Sequence, residues 1–236
     1  MTAVRVLLAL GLVAMVSGAV PGAEAQTPPA PSGDRPIHTA TYVEVLPSAA
    51  ANAREELRRY RDATRREADN RRCEVLSRIG QPHHFVVLAV WTSQAAWDAH
   101  GHSPHAAAMR ERIQAVRSAP VDDRVHGALS VGPLGGSAAG DAVYAVTHVD
   151  VIPPRKDDGL AALVRLAEDS RPAAGNLRFE VVQQTNRPNH FTVVEIWRDA
   201  RAVEAHATAE PTRRFRDALG PMSGALYDER LFRLVE

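Results

Sequence analysis

Shifted by 106 residues, the chain aligns with itself without a gap. Tyr42 falls on His148, Pro47 on Pro153, Asn70 on Asn176, Glu74 on Glu180, Pro82 on Pro188, His84 on His190, Phe85 on Phe191, Trp91 on Trp197 and His100 on His206. The register survives to Asp122, Asp123 and Arg124 over Asp228, Glu229 and Arg230. Of the 65 positions from Tyr42 to Ala106, 19 are identical in the two copies. The chain is one domain, duplicated. Two copies at this period make a fused pair, because a solenoid needs three or more repeats to bury its core.

Residues 1–25 hold one basic residue, Arg5, then an apolar run from Val6 to Val16, the helix-weakening Ser17-Gly18 and Pro21-Gly22, and the small-x-small ending Ala23-Glu24-Ala25. That is the layout of a cleavable secretory signal, and the apolar run falls short of a membrane span of about 20 residues. The expectation is cleavage after Ala25, with the mature protein periplasmic or secreted and free of the membrane; the alternative is an uncleaved anchor. Residues 26–36, with Pro28, Pro29, Pro31 and Pro36, read as a solvated tether. A Gly-rich linker at 132–141 separates a first domain, 37–131, from a second, 142–236.

Basic and acidic residues balance at 28 each, so no field of one sign favours nucleic acid or a membrane surface. Cys73 is the only cysteine, with Phe179 in the equivalent place. Neither an intrachain disulfide nor a cysteine-based metal site is available, and a buried, inert thiol is expected.

Each repeat orders its signals as strand, helix, strand, strand, helix, strand. The first strand runs to a proline, Pro47 or Pro153, and the next helix carries Leu57 and Tyr60, or Leu160, Leu163 and Leu166, among charges. Strands at 73–79 and 85–91, and again at 179–185 and 191–197, precede a helix opened by Ser93 or Asp199 and running through His100 or His206. A last short strand holds Val125 or Leu231. The fold class is α+β: two tandem ferredoxin-like (βαββαβ) repeats. In 191–197 the even set, Thr192, Val194 and Ile196, suits packing on helices, and the odd set, Phe191, Val193, Glu195 and Trp197, points the other way. A face bearing Phe and Trp is not left in water. The two repeats are therefore expected to press their odd, aromatic faces together as an intramolecular dimeric-type barrel, leaving a monomer with pseudo-dimeric repeats.

A βαββαβ unit with Pro188-Asn189-His190-Phe191, then Glu195-x-Trp197, then a helix with Ala205-His206, resembles the antibiotic biosynthesis monooxygenase family of dimeric α+β barrels. The first copy keeps Pro82, His84, Phe85, Trp91, Ala99 and His100 but has Ala89 where the family favours glutamate. The resemblance implies a small aromatic substrate held between sheet and helices and oxidised by O2, with the protein supplying a base and no cofactor. Deprotonating an electron-rich phenol or hydroquinone yields an anion able to pass an electron to O2, so a positioned histidine or carboxylate suffices. The candidate bases are His206, Glu195, His148 and His100; Trp197, Trp91, Tyr42 and Phe191 are candidate substrate contacts. Each has a plainer reading, the histidines bonding a neighbouring carbonyl, the tryptophans anchoring the core, Glu195 pairing with an arginine.

His100, His102 and His105 raise a zinc or copper site, but only the first is shared with the second copy and Pro104 interrupts the run, so an exposed helix end is preferred and no metal is expected. Haem is disfavoured, because Tyr42 and His148 stand where haem-degrading relatives would need an asparagine. Two functions stay open: a cofactor-independent monooxygenase on quinol-like or phenolic molecules, and a non-catalytic periplasmic small-molecule-binding or scaffold protein. Glu195 against Ala89, and His148 against Tyr42, point to the second repeat as the working one.

Overall fold

A computed structural model describes residues 35–135 and 137–236; the expected signal at 1–25 and most of the 26–36 tether lie outside the described residues. Strand β1 (Ile37–Glu44) ends short of Pro47, which has no N–H to give a ladder and opens a 3-10 turn into α1 (Ala50–Thr64). The hairpin of β2 (Asn70–Arg78) and β3 (Gln81–Trp91) turns at Gly80, whose φ of +79° suits glycine. The Ser93 hydroxyl accepts from Ala96 N at 3.1 Å and starts α2 (Gln94–His100). The single helix expected here is two. Ser103 caps again and Pro104 takes the first turn of α3 (Pro104–Gln114), before β4 (Asp122–Ser130). The second repeat repeats the order with β5 (Val143–Asp150), α4 (Lys156–Ser170), β6 (Asn176–Gln184), β7 (His190–Trp197), α5 (Ala200–Ala207), α6 (Glu210–Leu219) and β8 (Asp228–Leu234).

The strands close into one antiparallel barrel in the order β1-β3-β2-β8-β5-β7-β6-β4. Within a repeat the order is the ferredoxin-like β4-β1-β3-β2, and the last strand of each repeat crosses to the other half. Leu76 pairs with Leu234 and Arg78 with Phe232 at one seam; His126 pairs with Gln184 and Ala128 with Val182 at the other.

The halves do clasp, but through the faces opposite to those the sequence reading assigned. Phe85, Val87, Ala89 and Trp91 lie under the helices with Leu57, Tyr60, Met109 and Ile113, as do Phe191, Val193 and Trp197 with Leu163, Leu166 and Phe215. The barrel interior is filled by Val86, Leu88, Val194 and Ile196 with Tyr42, Tyr144 and Phe232. The inward face also carries Arg72, Glu74, Arg178 and Glu180, whose two-point partners lie in the other repeat, and an eight-stranded barrel is narrow enough for side chains to fill. The residual space in the lumen, beside His38, His126 and Thr192, is about 20 Å³, room for about one water. Cys73 is fully buried and burial pushes its thiol up to about 12, in line with an inert role.

Inside the barrel, four charges bind the halves. Arg72 donates to both oxygens of Glu180 at 2.9 and 2.7 Å, and Arg178 to both oxygens of Glu74 at 3.3 and 2.6 Å. Every pair joins one repeat to the other, and the four side chains are at most 8% exposed. Burial alone would raise the Glu180 carboxyl; the bonded Arg72 guanidinium more than reverses this and holds it below the usual carboxylate range. The Tyr144 hydroxyl adds a bond to Glu74 at 3.3 Å.

Deleting one member leaves a buried, unpaired charge, so Glu180→Leu is expected to cost about 3–5 kcal/mol in chemical denaturation, whereas Arg72→Met with Glu180→Leu recovers most of the loss. A single variant as stable as the wild type would show that the quartet does not hold the barrel.

Candidate functional site

Between the sheet and helices of the first repeat lies a cavity of about 240 Å³, walled by Tyr60, Trp97, His100, Met109, Arg110 and Asp123. Tyr60 comes from α1, Trp97 and His100 from α2, Met109 and Arg110 from α3 and Asp123 from β4. The break at Ser103-Pro104 that splits the expected helix folds α3 back and lets these elements converge.

His100 is the centre of this wall. Its ring lies 4.4 Å from Trp91 and stacks on Trp97 at 5.5 Å. Its Nδ1 meets Glu67 Oε1 at 2.6 Å and its Nε2 meets the Tyr60 hydroxyl at 2.7 Å. A carboxylate cannot donate, so Nδ1 carries the proton and Nε2 accepts from Tyr60. His105 Nε2 reaches the same Glu67 oxygen at 2.8 Å. Burial lowers the affinity of His100 for a proton, against the pull of Glu67, and raises that of Tyr60 well above the ordinary phenol. The resting state is thus neutral imidazole and intact phenol, in line with a carboxylate.

The second repeat keeps the histidine and rearranges the rest. His206 stacks on Trp197 at 4.4 Å, and its Nε2 lies 3.3 Å from Glu195 Oε2, which also accepts from Trp197 Nε1 at 2.7 Å. Burial pushes the Glu195 carboxyl up to about 8 and the His206 imidazole down to about 4. The neutral forms of both are favoured, a carboxylic acid facing an imidazole with one proton between them. Among the described residues no arginine pairs with Glu195; the carboxylates that do bond arginines across the barrel are Glu74 and Glu180. Phe215 and Tyr227 stand where the first repeat has Met109 and Val121, with rings 6.4 Å apart and the Arg216 guanidinium over Tyr227, and they occupy the ground that is open in the first repeat.

The eight residues singled out from sequence therefore fall in several places. His100 lines the first cavity. Trp91, Trp197 and Phe191 are 0%, 1% and 0% exposed, so in this conformation they support histidines or helices and cannot lie against a bound molecule. His206 and Glu195 form the closed pair just described. Tyr42 and His148 belong to the barrel's inner face, a sheet thickness away. Arg124 sits over the Tyr42 ring at 4.7 Å, and His148 contacts His190 at 3.2 Å in a separate polar cavity of about 180 Å³. Burial pushes His148 down to about 4.

Of the histidine run, the structure brings His100 and His105 together with Glu67 and leaves His102 bonded to the Asp98 carbonyl at 2.9 Å. Sequence reasoning missed Tyr60, Glu67, Trp97 and His105 as a group. The signal was present as a concerted difference between copies, since Leu166, Ala173, Val203 and Pro211 replace them.

A fused pair of α+β repeats, closed as a barrel and holding a histidine-walled cavity between sheet and helices, is the class of protein that this geometry defines. The profile of the antibiotic biosynthesis monooxygenase family matches both halves, at residues 36–112 and 142–218, and the chain belongs to that family. Among solved structures, a monooxygenase-named protein of Fusobacterium nucleatum superposes with a TM-score of 0.77 at 12% identity, over 86% of this chain and 94% of that one. An anthrone oxidase-like protein gives 0.70 at 15%, over 86% and 92%. A major regulator of staphylococcal pathogenesis gives 0.56 at 9%, over 84% and 98%. At these identities the likeness is one of fold. Among curated protein sequences none matches the chain.

The Glu195 pair has a pH signature. A carboxyl raised to about 8 favours folding most below its unfolded value and loses that contribution as pH rises through 8, while His206, lowered from 6.5 to about 4, acts only below 6.5. Between pH 6.5 and 8, wild-type stability is expected to fall relative to Glu195→Gln. Parallel stability curves for the two over that interval would show that Glu195 is already ionised in the folded state.

Proposed function

We propose that the chain is an oxygenase whose working site is the first repeat's cavity, where Tyr60, His100 and Glu67 deprotonate an electron-rich small aromatic molecule so that it reacts with O2. The observation that carries this reading is the unbroken run of short contacts from the cavity wall inward, Tyr60 hydroxyl to His100 Nε2 and His100 Nδ1 to Glu67. As a substrate proton passes to the Tyr60 oxygen, the Tyr60 proton passes to Nε2, and Glu67 stabilises the imidazolium formed. Trp97 and Met109 give the chamber its apolar walls. For an anthrone-type methylene the overall change, CH2 plus O2 to C=O plus H2O, draws all four electrons from the substrate and needs no external reductant. Membership of a family named for monooxygenation and the shared fold of an anthrone oxidase-like protein support this substrate class.

The rival reading is ligand binding without turnover. It is favoured by the second repeat, where a histidine keeps its stacking on a tryptophan in a packed interior, so that stacking alone does not mark chemistry. Dioxygen uptake with anthrones and hydroquinones separates the two. Tyr60→Phe, His100→Gln and Glu67→Gln are each expected to lower kcat by about 10²–10⁴-fold. Full activity in those variants with loss in His206→Ala or Glu195→Gln would move the site to the second repeat, and tight ligand binding with no O2 uptake would select the binding reading.

Export belongs to the same proposal, supported by the apolar run from Val6 to Val16 and the Ala23-Glu24-Ala25 ending. Mass spectrometry of protein recovered from periplasm or medium is expected to read a mature chain beginning at Gln26; an intact chain confined to the cytoplasm would refute it.

A further inference from the structure

We infer that Glu67, His100 and His105 form a binding site for one first-row divalent metal ion of the zinc type. Glu67 Oε1, His100 Nδ1 and His105 Nε2 all lie within 4.8 Å of one another, and both rings aim a nitrogen at the same oxygen, at 2.6 and 2.8 Å. Zinc binds imidazole nitrogen and carboxylate oxygen at about 2.0–2.2 Å, which in a tetrahedral arrangement spaces the ligand atoms about 3.3–3.5 Å apart. The Glu67 oxygen then has to retreat by about 0.5–0.9 Å to admit the ion. It is free to do so, because Glu67 lies in the turn after α1 with its side chain 26% exposed, and His105 is 25% exposed.

The surroundings of His100 fit a ligand. Ligating histidines are held by a hydrogen bond at the other ring nitrogen, and Nε2 already has one, to the Tyr60 hydroxyl at 2.7 Å. With the ion on Nδ1, the proton sits on Nε2 and is donated to the Tyr60 oxygen. Trp91 at 4.4 Å and Trp97 at 5.5 Å pack against the ring and restrict its orientation. Two imidazoles and one carboxylate are ligands of borderline and hard character that suit Zn²⁺ and Co²⁺, and three protein ligands leave a coordination position for water or an exogenous group, the count found in catalytic rather than closed structural sites. Ala173 and Pro211 replace Glu67 and His105 in the second repeat, so one ion per chain is expected.

This site does not rest on the oxygenation reading. The two are linked through His100, since an ion at Nδ1 places a proton on Nε2 and removes the acceptor for Tyr60. The test is titration of untagged, chelator-stripped full-length protein with Zn²⁺ by calorimetry and with Co²⁺ by visible absorption. The wild type is expected to bind one ion, with cobalt absorption bands of a low-symmetry, partly nitrogen-ligated site. His105→Ala and Glu67→Gln, both at partly exposed positions and checked for an unchanged melting profile, are expected to weaken binding at least tenfold, while His102→Ala leaves it unchanged. Binding by the wild type that is no tighter than that of the His105→Ala, Glu67→Gln double variant would overturn the inference, as would a loss that follows His102 instead.

Discussion

Arg72 and Arg178, each reaching into the other repeat for a glutamate, are the contacts on which closure of the barrel depends. Four charges with side chains at most 8% exposed are costly to take out of water, and the cost is offset only when each guanidinium meets its carboxylate in the two-point geometry seen here. Within one repeat the contact between Arg72 and Glu74 is a single long one of 3.7 Å. The bidentate pairing requires the other half in register, so the quartet specifies which faces meet as well as holding them together.

From that closure follows the location of everything functional. With its axis taken up by an ion quartet, Val, Leu and Ile side chains, the lumen keeps about 20 Å³ and is no chamber. Phe85, Trp91, Phe191 and Trp197 lie on the outer side of the sheet, where the helices cover them. The space that meets the conserved histidine and an aromatic wall lies between sheet and helices, beside His100.

The two repeats have kept a common element and diverged around it. Both retain a histidine packed 4.4 Å from the strand-end tryptophan, and both give it a carboxylate, but Glu195 approaches His206 from the sheet whereas Glu67 approaches His100 from the turn after α1. Ala89 leaves Trp91 Nε1 without a partner among the described residues, where Trp197 has Glu195. Meanwhile Phe215 and Tyr227 occupy in one repeat what Met109 and Val121 leave open in the other. The first repeat keeps open space against its histidine, whereas in the second the space of about 290 Å³ lies between α4 and α6, lined by Leu166, Arg214 and Phe215 and not by His206.

The gapless 106-residue repeat, the prolines that end the first strands, the alternating strands and the Ser93 and Asp199 caps determined from sequence alone that two ferredoxin-like units would form and pair, because these are local and periodic signals. Which sheet face turned inward was not legible: alternation separates two largely apolar faces but does not rank them, and the choice rests on Arg72 and Arg178 finding glutamates of the other repeat, a pairing 108 and 104 residues apart in sequence. The site was half legible for a related reason. His100 could be read from its repeat partner and the strand-end tryptophan, but its working neighbours Tyr60, Glu67 and His105 lie 40, 33 and 5 residues from it and meet it only once α1, α2 and α3 have packed. Only the tertiary structure could decide that, since contact between distant side chains is set by how helices seat on the sheet, a property that no local pattern carries.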